Sequence, residues 1–173
     1  LFYWAFRGFW PQHEGMHKEI LLDGAQGRLW VARSIFQGEW FQRLRDGVSW
    51  QAKSIWVHGR EVLQPRLTSF MGDPGVSYAY SRRLWEARPW APPVLELRDW
   101  LKLELGQSFN SALANYYRDG DDSMGRHADD EKALGPAPSI ASLRFGEERS
   151  FHLHPKGKGP ALLKLVLGDG DLL

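Results

Sequence analysis

The 173-residue chain contains no cysteine. That excludes disulfide bridges and thiolate-held metals and fits a reducing compartment, the cytoplasm or, in a eukaryote, the nucleus. It has no apolar run long enough to cross a membrane. The opening Leu1-Phe2-Tyr3-Trp4-Ala5-Phe6 is apolar but short. It has no basic stretch before it and no small-residue cleavage site after it, so it does not read as a signal peptide. Its start at Leu1 is expected to be an incomplete or processed N-terminus. Charge of one sign is lacking too. Lys and Arg number 22, Asp and Glu 21, and the net charge is +1, which gives no global pull toward a polyanion. There is no internal repeat and no low-complexity tract.

The chain is instead rich in large apolar side chains, with nine Trp and nine Phe and 43% hydrophobic residues. Its length suits one domain with a sizeable core, expected as a monomer. The charge it has is unevenly placed. Residues 1–60 carry 8 basic and 5 acidic groups, and residues 121–173 carry 7 basic and 9 acidic. The acidic end suits a cation better than a phosphate.

Taken in order, residues 1–27 read as an irregular aromatic arm. A strand is expected within Gly27–Phe36. Trp40, Phe41 and Leu44 recur at helical spacing, with Gly47 at the stop. Ser54–His58 and Glu61–Leu63 read as a hairpin about Gly59. In Tyr78-Ala79-Tyr80-Ser81, alternation puts both tyrosines on one face of a strand. Paired aromatics near an Arg, here Arg66, can stack a base and hold a phosphate, or can form an ordinary cross-strand cluster. Pro93 suits the first turn of a helix carrying Val94, Leu97 and Leu101, and Gly106 ends it. Ser108–Tyr117 reads as a strand with Leu113, Asn115 and Tyr117 on one face. An amide and a phenol there are either satisfied internally or hold a ligand. Three strands follow, within Pro138–Phe145, Arg149–His154 and Leu162–Leu167, and a further one starts at Asp171. Helices followed by serial short strands give an α+β chain forming a barrel or two-sheet jelly roll, with helices on one side.

The loop after the Asn115–Tyr117 strand carries the chemistry. His127 and Asp129 are two residues apart, so in extended backbone both point to one side. An imidazole nitrogen and a carboxylate there can meet one metal ion. They would be two members of the two-His-one-carboxylate triad used by non-haem Fe(II) oxygenases. Taken alone, the pair also reads as part of a solvated acidic loop. A calcium loop counted from Asp119 fails, because Met124 and Asp130 stand where Gly and Glu are required.

In order, Gln64-Pro65-Arg66, Tyr78-x-Tyr80-Ser81, Phe109-Asn110, Asn115-x-Tyr117-Arg118-Asp119-Gly120, His127-x-Asp129-Asp130-Glu131, Ile140-Ala141-Ser142, Arg149-x-Phe151 and Gly170-Asp171-Leu172-Leu173 together resemble the AlkB family. These are Fe(II)- and 2-oxoglutarate-dependent dioxygenases, and the likeness is to the branch that repairs alkylated bases. It covers about residues 28–173. It implies a double-stranded β-helix with helices packed on one sheet. His127 and Asp129 match iron ligands, Asn115 and Tyr117 the residues that hydrogen-bond 2-oxoglutarate, and Tyr78, Tyr80 and Ser81 the segment beside a flipped base. Glu131 matches an acidic residue near the base pocket, and Arg66 a residue at the rim of the nucleic-acid groove. The implied reaction removes an N-linked methyl group from DNA, or from RNA, as formaldehyde while 2-oxoglutarate becomes succinate and carbon dioxide.

The resemblance also implies residues beyond Leu173: a second histidine ligand and the arginines that bind 2-oxoglutarate. His152 and His154 stand on the face opposite Phe151 and Leu153 and are poor substitutes. A C-terminally incomplete domain is therefore expected to bind Fe(II) and 2-oxoglutarate weakly and to leave an open sheet edge at Asp171. Two other readings stand beside it. One is a non-catalytic relative that binds nucleic acid or a partner. The other is a dioxygenase acting on protein or lipid.

Overall fold

A computed structural model describes residues 2–6, 16–24, 27–57, 59–80, 83–129, 134–135, 138–157 and 159–173; at 2–6, 57, 78–80 and 83–84 it describes the backbone alone. The strands are β1 (Phe2–Phe6), β2 (Glu19–Gly24), β3 (Gly27–Val31), β4 (Gln51–Val57), β5 (Arg60–Gly72), β6 (Ser77–Tyr80), β7 (Arg83–Glu86), β8 (Ser111–Tyr116), β9 (Ser139–Leu143), β10 (Arg149–Leu153) and β11 (Leu163–Leu167). The helices are α1 (Trp40–Gly47) and α2 (Pro92–Leu105). The main sheet has the order β4-β5-β8-β1-β9. Among the described residues β2–β3, β6–β7 and β10–β11 form three further two-stranded sheets.

One face of the main sheet is apolar because every second residue of its strands is. Met71, Ala112, Ala114, Ala141 and Leu143 meet Leu44 of α1 and Val94, Leu97, Leu101 and Leu105 of α2 in one buried cluster. The helix α2 begins where Pro93 can occupy the first turn and ends at Gly106, whose φ of 65° accepts the left-handed C-cap. The helix α1 runs through Gly47 and caps at Val48, one residue beyond the expected stop. A second apolar cluster has Val31, Leu167 and Leu173 buried, with Leu21, Leu29, Phe151 and Leu165 against it, and joins the β2–β3 and β10–β11 hairpins.

One sequence expectation needs correction. Residues 1–27 are not wholly irregular. Phe2–Phe6 forms β1, paired antiparallel with β8 on one side and β9 on the other, and Glu19–Gly24 pairs with β3. A strand with neighbours on both sides need not alternate apolar with polar, so period-2 reasoning passes over it. The short segment at Asp171 docks between Ala32 and Ser142, while β9 stays at the edge of the main sheet. Leu172 exchanges backbone hydrogen bonds with Ala32, at 2.8 and 2.9 Å, and Leu173 does so with Ser142, at 2.9 Å each way. The turn that delivers this segment needs a glycine. Gly170 has φ of 74°, and a Cβ there would collide with the Phe36 carbonyl oxygen. Asp171 fixes the same corner: its buried carboxylate accepts from Arg33 Nη1 at 2.7 Å and from the Ser34 and Gly168 backbone N–H groups at 2.9 Å.

Candidate active site

The face of the main sheet turned away from the helices is polar. On β8, Ala112 and Ala114 point to the helices, so Leu113 and Asn115 point the other way. Across the ladder Thr68 pairs with Asn115, and alternation along β5 adds Gln64 and Arg66. On β9, Ser142 and Arg144 alternate with the helix-facing Ala141 and Leu143. Gln64, Arg66, Thr68, Asn115, Ser142 and Arg144 are all buried. The amide of Gln64, Thr68 Oγ1, Ser142 Oγ and Arg144 Nε are buried atoms without a hydrogen-bond partner. Buried polar groups in native proteins are nearly always satisfied. So many on one face mark a place where a polar ligand or water supplies the missing bonds.

Asn115 stands at the centre of this face. Its Oδ1 accepts from Arg66 Nε at 2.8 Å, and Arg66 Nη1 donates to the Ser123 carbonyl at 3.2 Å. The amide is thereby oriented, with Nδ2 as the end that can turn to an acceptor. Arg66 is 5% exposed. It lies beneath the site and not at a rim, which corrects the expected rim position: the carbonyls and amide around it are reached only from within. Tyr117 follows, with the Arg149 guanidinium stacked 4.4 Å from its ring centroid. Burial pushes the Tyr117 phenol up from its ordinary value, while Arg66, Arg149 and Arg144 pull the other way. The hydroxyl therefore keeps its proton and can donate a hydrogen bond.

A cleft of about 290 Å³ opens at the end of β8; Asn115, Tyr117, Arg118, Arg144, Glu148 and Arg149 are among its walls. The loop leaving it is stitched down on both sides. Ser123 N–H donates to the Pro65 carbonyl at 2.8 Å, and Arg149 Nη2 donates to the Asp122 carbonyl at 2.6 Å. Asp122 is itself buried, 4% exposed, and takes Arg118 Nε and Nη2 at 2.8 Å each together with the Arg118 backbone N–H at 2.9 Å. The Arg118 side chain holds the Asp122 carboxyl well down, to about 2. Asp119 Oδ1 accepts from the backbone N–H groups of Asp121 and Asp122. Asp119 and Asp122 are thus satisfied within the loop and serve to shape it.

The loop then presents the His-x-Asp pair. His127 Nε2 and Asp129 Oδ1 are 3.5 Å apart. His127 Nδ1 lies 2.9 Å from the Gly125 carbonyl oxygen, which can only accept, so Nδ1 carries the proton. In the neutral ring Nε2 then offers a lone pair on the side where Asp129 places a carboxylate oxygen, and the carbonyl plays the orienting part that metal-bound histidines use. These two donors fit part of a divalent metal's ligand set. Among the described residues no group of three His, Asp or Glu residues is arranged to hold a metal. Arg126 anchors the preceding turn to the Pro155 and Gly157 carbonyls at 2.6 and 2.7 Å.

The structure thus joins Arg66, Asn115 and Tyr117 on one face and brings His127 to Asp129, while His127 and Asp129 do not line the cleft itself. Tyr78 and Tyr80 lie in β6, paired with Trp85 and Arg83; their side chains, together with Ser81 and Glu131, fall outside the described residues. His152 is exposed, whereas His154 is partly buried with Nδ1 enclosed. Reading the sequence for function passed over Arg144, Thr68 and Ser142. The signal was available as polar residues at every second position of two strands.

A family model described as the 2OG-Fe(II) oxygenase superfamily matches residues 31–173. The chain belongs to this superfamily. Its relatives are AlkB-like. It is 38% identical over 126 residues to the DNA oxidative demethylase ALKBH2 of Homo sapiens, covering 69% of this chain and 48% of that protein. It is 42% identical over 117 residues to the alpha-ketoglutarate-dependent dioxygenase alkB homolog 3 of Bos taurus, covering 67% and 40%. To the ALKBH2 of Arabidopsis thaliana it is 38% identical over 146 residues, covering 80% and 46%. The chain spans about half the length of the curated relatives it matches. Among the described residues no helix is long and apolar enough to cross a membrane.

Proposed function

We propose that this chain is the core of an Fe(II)- and 2-oxoglutarate-dependent dioxygenase that removes N-linked methyl groups from bases in DNA. The observation that carries the reading is the 3.5 Å approach of His127 Nε2 to Asp129 Oδ1, in a chain whose relatives are named DNA oxidative demethylase and alpha-ketoglutarate-dependent dioxygenase. The strand-rich sheet with both helices on one face supports a double-stranded β-helix as the complete fold. Bound Fe(II) and 2-oxoglutarate would supply the oxidation of the methyl group, with formaldehyde, succinate and carbon dioxide as products.

The chain's own residues do the holding. His127 and Asp129 serve as metal ligands, with the Gly125 carbonyl fixing the imidazole. Asn115 and Tyr117 act as hydrogen-bond donors to the co-substrate, and Arg66 sets the Asn115 amide. Tyr78, Tyr80, Ser81 and Glu131 serve the flipped base and its flanking phosphate. A base must leave the stack to be modified, and aromatic rings can replace the stacking it loses. The protein acts in the compartment that holds its DNA, as a monomer.

The test is succinate release from 2-oxoglutarate in the presence of a methylated oligonucleotide, with Asp129→Ala as the control. Turnover that depends on the methyl group and vanishes in Asp129→Ala supports the reading. A folded protein that retains oligonucleotide binding but releases no succinate, even when extended by the residues that follow in its reading frame, favours a non-catalytic nucleic-acid-binding relative. Tyr78→Ala is expected to weaken oligonucleotide binding by about 1–3 kcal/mol, the worth of one stacked base.

A further inference from the structure

The main sheet is joined at its centre by a segment drawn from far away in the chain. Among the described residues β8 and β9 share no ladder, and β1 is the strand between them. On one side of it lie β4, β5 and β8. On the other, β9 carries the Asp171–Leu173 segment, which hydrogen-bonds on to Ala32. Arg66, Thr68 and Asn115 belong to the first half, and Ser142 and Arg144 to the second, so β1 also sets the width of the candidate site. Adjacent strands lie about 4.8 Å apart, so without β1 the two halves would face each other across about 9–10 Å, too far to pair. The residues flanking this slot are small. Phe2 stands in register with Ala114, and Trp4 with Ala112 on one side and Ala141 on the other. These three alanines are buried members of the main core. Large residues opposite small ones fill a layer that small residues alone would leave open. The segment Phe2–Phe6 has no charge, glycine or proline, a composition suited to a strand with neighbours on both sides.

We infer that the slot between β8 and β9 is a strand-acceptor site for an extended, uncharged peptide with aromatic residues at alternate positions, and that Phe2–Phe6 of the same chain is its resident occupant. Recognition is by strand addition: the ladders on both sides supply affinity through the backbone, and the alanines select large residues at every second position. Both walls of the slot are held without the occupant, because Ala112 and Ala114 of β8 and Ala141 and Leu143 of β9 share one cluster with α1 and α2. The occupant ends at Phe6 and the next strand starts at Glu19, so residues 7–18 tether it to the domain. A tether of that kind gives the resident strand an effective concentration on the order of millimolar, which an outside peptide must overcome. The inference does not rest on the demethylase reading.

The experiment titrates a fluorescein-labelled peptide of residues 1–6, with a lysine tail for solubility, against the 173-residue wild type and Tyr3→Pro, read by fluorescence anisotropy. Tyr3 is in register with Leu113 and Ser142, and a proline inside a central strand removes a ladder donor. The expected result is saturable binding to Tyr3→Pro and at least tenfold weaker binding to the wild type, whose slot is filled. A peptide with alanine at the positions of Phe2 and Trp4 should bind Tyr3→Pro at least tenfold more weakly than the native peptide. No saturable binding to folded Tyr3→Pro, or equal affinity for the two peptides, overturns the inference. If Tyr3→Pro does not fold, the double variant Ala5→Cys/Ile140→Cys carries the test, because these two residues are in register and the chain has no other cysteine. Mild oxidation should close an intrachain disulfide, slow amide exchange in β8 and β9, and abolish the weak peptide binding of the reduced protein. Failure of the intrachain disulfide to form, a disulfide between two chains, or peptide binding undiminished by oxidation overturns the inference.

Discussion

Arg66 Nε donates to Asn115 Oδ1 across the β5–β8 ladder at 2.8 Å, and both residues are buried. The contact decides which end of the Asn115 amide points at the cleft. Arg66→Met would leave Oδ1 and the Ser123 carbonyl without this donor. Leaving a buried acceptor unsatisfied costs about 1–3 kcal/mol, so the melting temperature should fall. The affinity for 2-oxoglutarate should fall with it, because the amide can then flip. Arg66→Lys should recover more of the stability than of the affinity, since one ammonium restores a donor but not the fixed geometry. Thermal unfolding and co-substrate titration on the same preparations separate the two effects.

The pH dependence of stability should carry the mark of Asp122. Arg118 holds its carboxyl down to about 2 against an ordinary value of 3.8. A carboxyl with a depressed native pKa adds stability above the unfolded value, and that stability is lost as pH falls from 3.8 toward about 2. Asp122→Asn should therefore be less stable than the wild type at neutral pH, by about 1 kcal/mol because Arg118 is half exposed and its charge is screened. The gap should close as the pH passes through that window. A constant difference across denaturation curves from pH 7 down to pH 2 would remove Asp122 as its source.

What the sequence made legible was set by local rules. Pro93 and Gly106 bound α2 because each has a conformational preference that neighbours do not override. His127 and Asp129 could be paired because a two-residue spacing is a short-range fact. Arg66 was different. A lone Arg in a polar-looking segment reads as a surface charge, and only the β5–β8 register brings it against Asn115, 49 positions away in the chain. The same holds for Arg144, whose burial depends on β9 pairing with β1 and on the 170–173 segment crossing beside it. The strand β1 was missed for a third reason: a run dominated by aromatics signals burial but not the kind of element that buries it.

Gly170 tests the corner that carries Asp171. Alanine there meets two obstacles at once, a φ of 74° and a Cβ that collides with the Phe36 carbonyl oxygen. The strained backbone alone costs about 1–3 kcal/mol, and the clash must be relieved by moving the Ile35–Phe36 backbone, whose N–H groups donate to the Gly170 carbonyl. Gly170→Ala should unfold at a markedly lower temperature. Gly120→Ala is the control, since a Cβ there meets nothing within 4 Å, and it should be close to neutral.

The metal reading stands on two atoms and can be tested without turnover. His127 Nε2 and Asp129 Oδ1 face each other at 3.5 Å, with Nδ1 committed to the Gly125 carbonyl. The neutral imidazole and the carboxylate can both donate to one divalent ion, and an ion bound there should stabilise the fold by an amount that grows with the logarithm of its concentration over its dissociation constant. Mn(II), which accepts the same nitrogen and oxygen donors as Fe(II) without oxidising, is the convenient probe. The expected outcome is a Mn(II)-dependent rise in melting temperature for the wild type that is absent in both His127→Ala and Asp129→Ala. In the metal-free state the two variants should melt within a few degrees of the wild type, because both side chains are partly exposed. Replacing Asp129 by Asn keeps the shape and removes the charge, and it should bind Mn(II) more weakly than the wild type. If Mn(II) raises the melting temperature equally in all four proteins, the ion sits elsewhere and the pair is only the polar end of a loop.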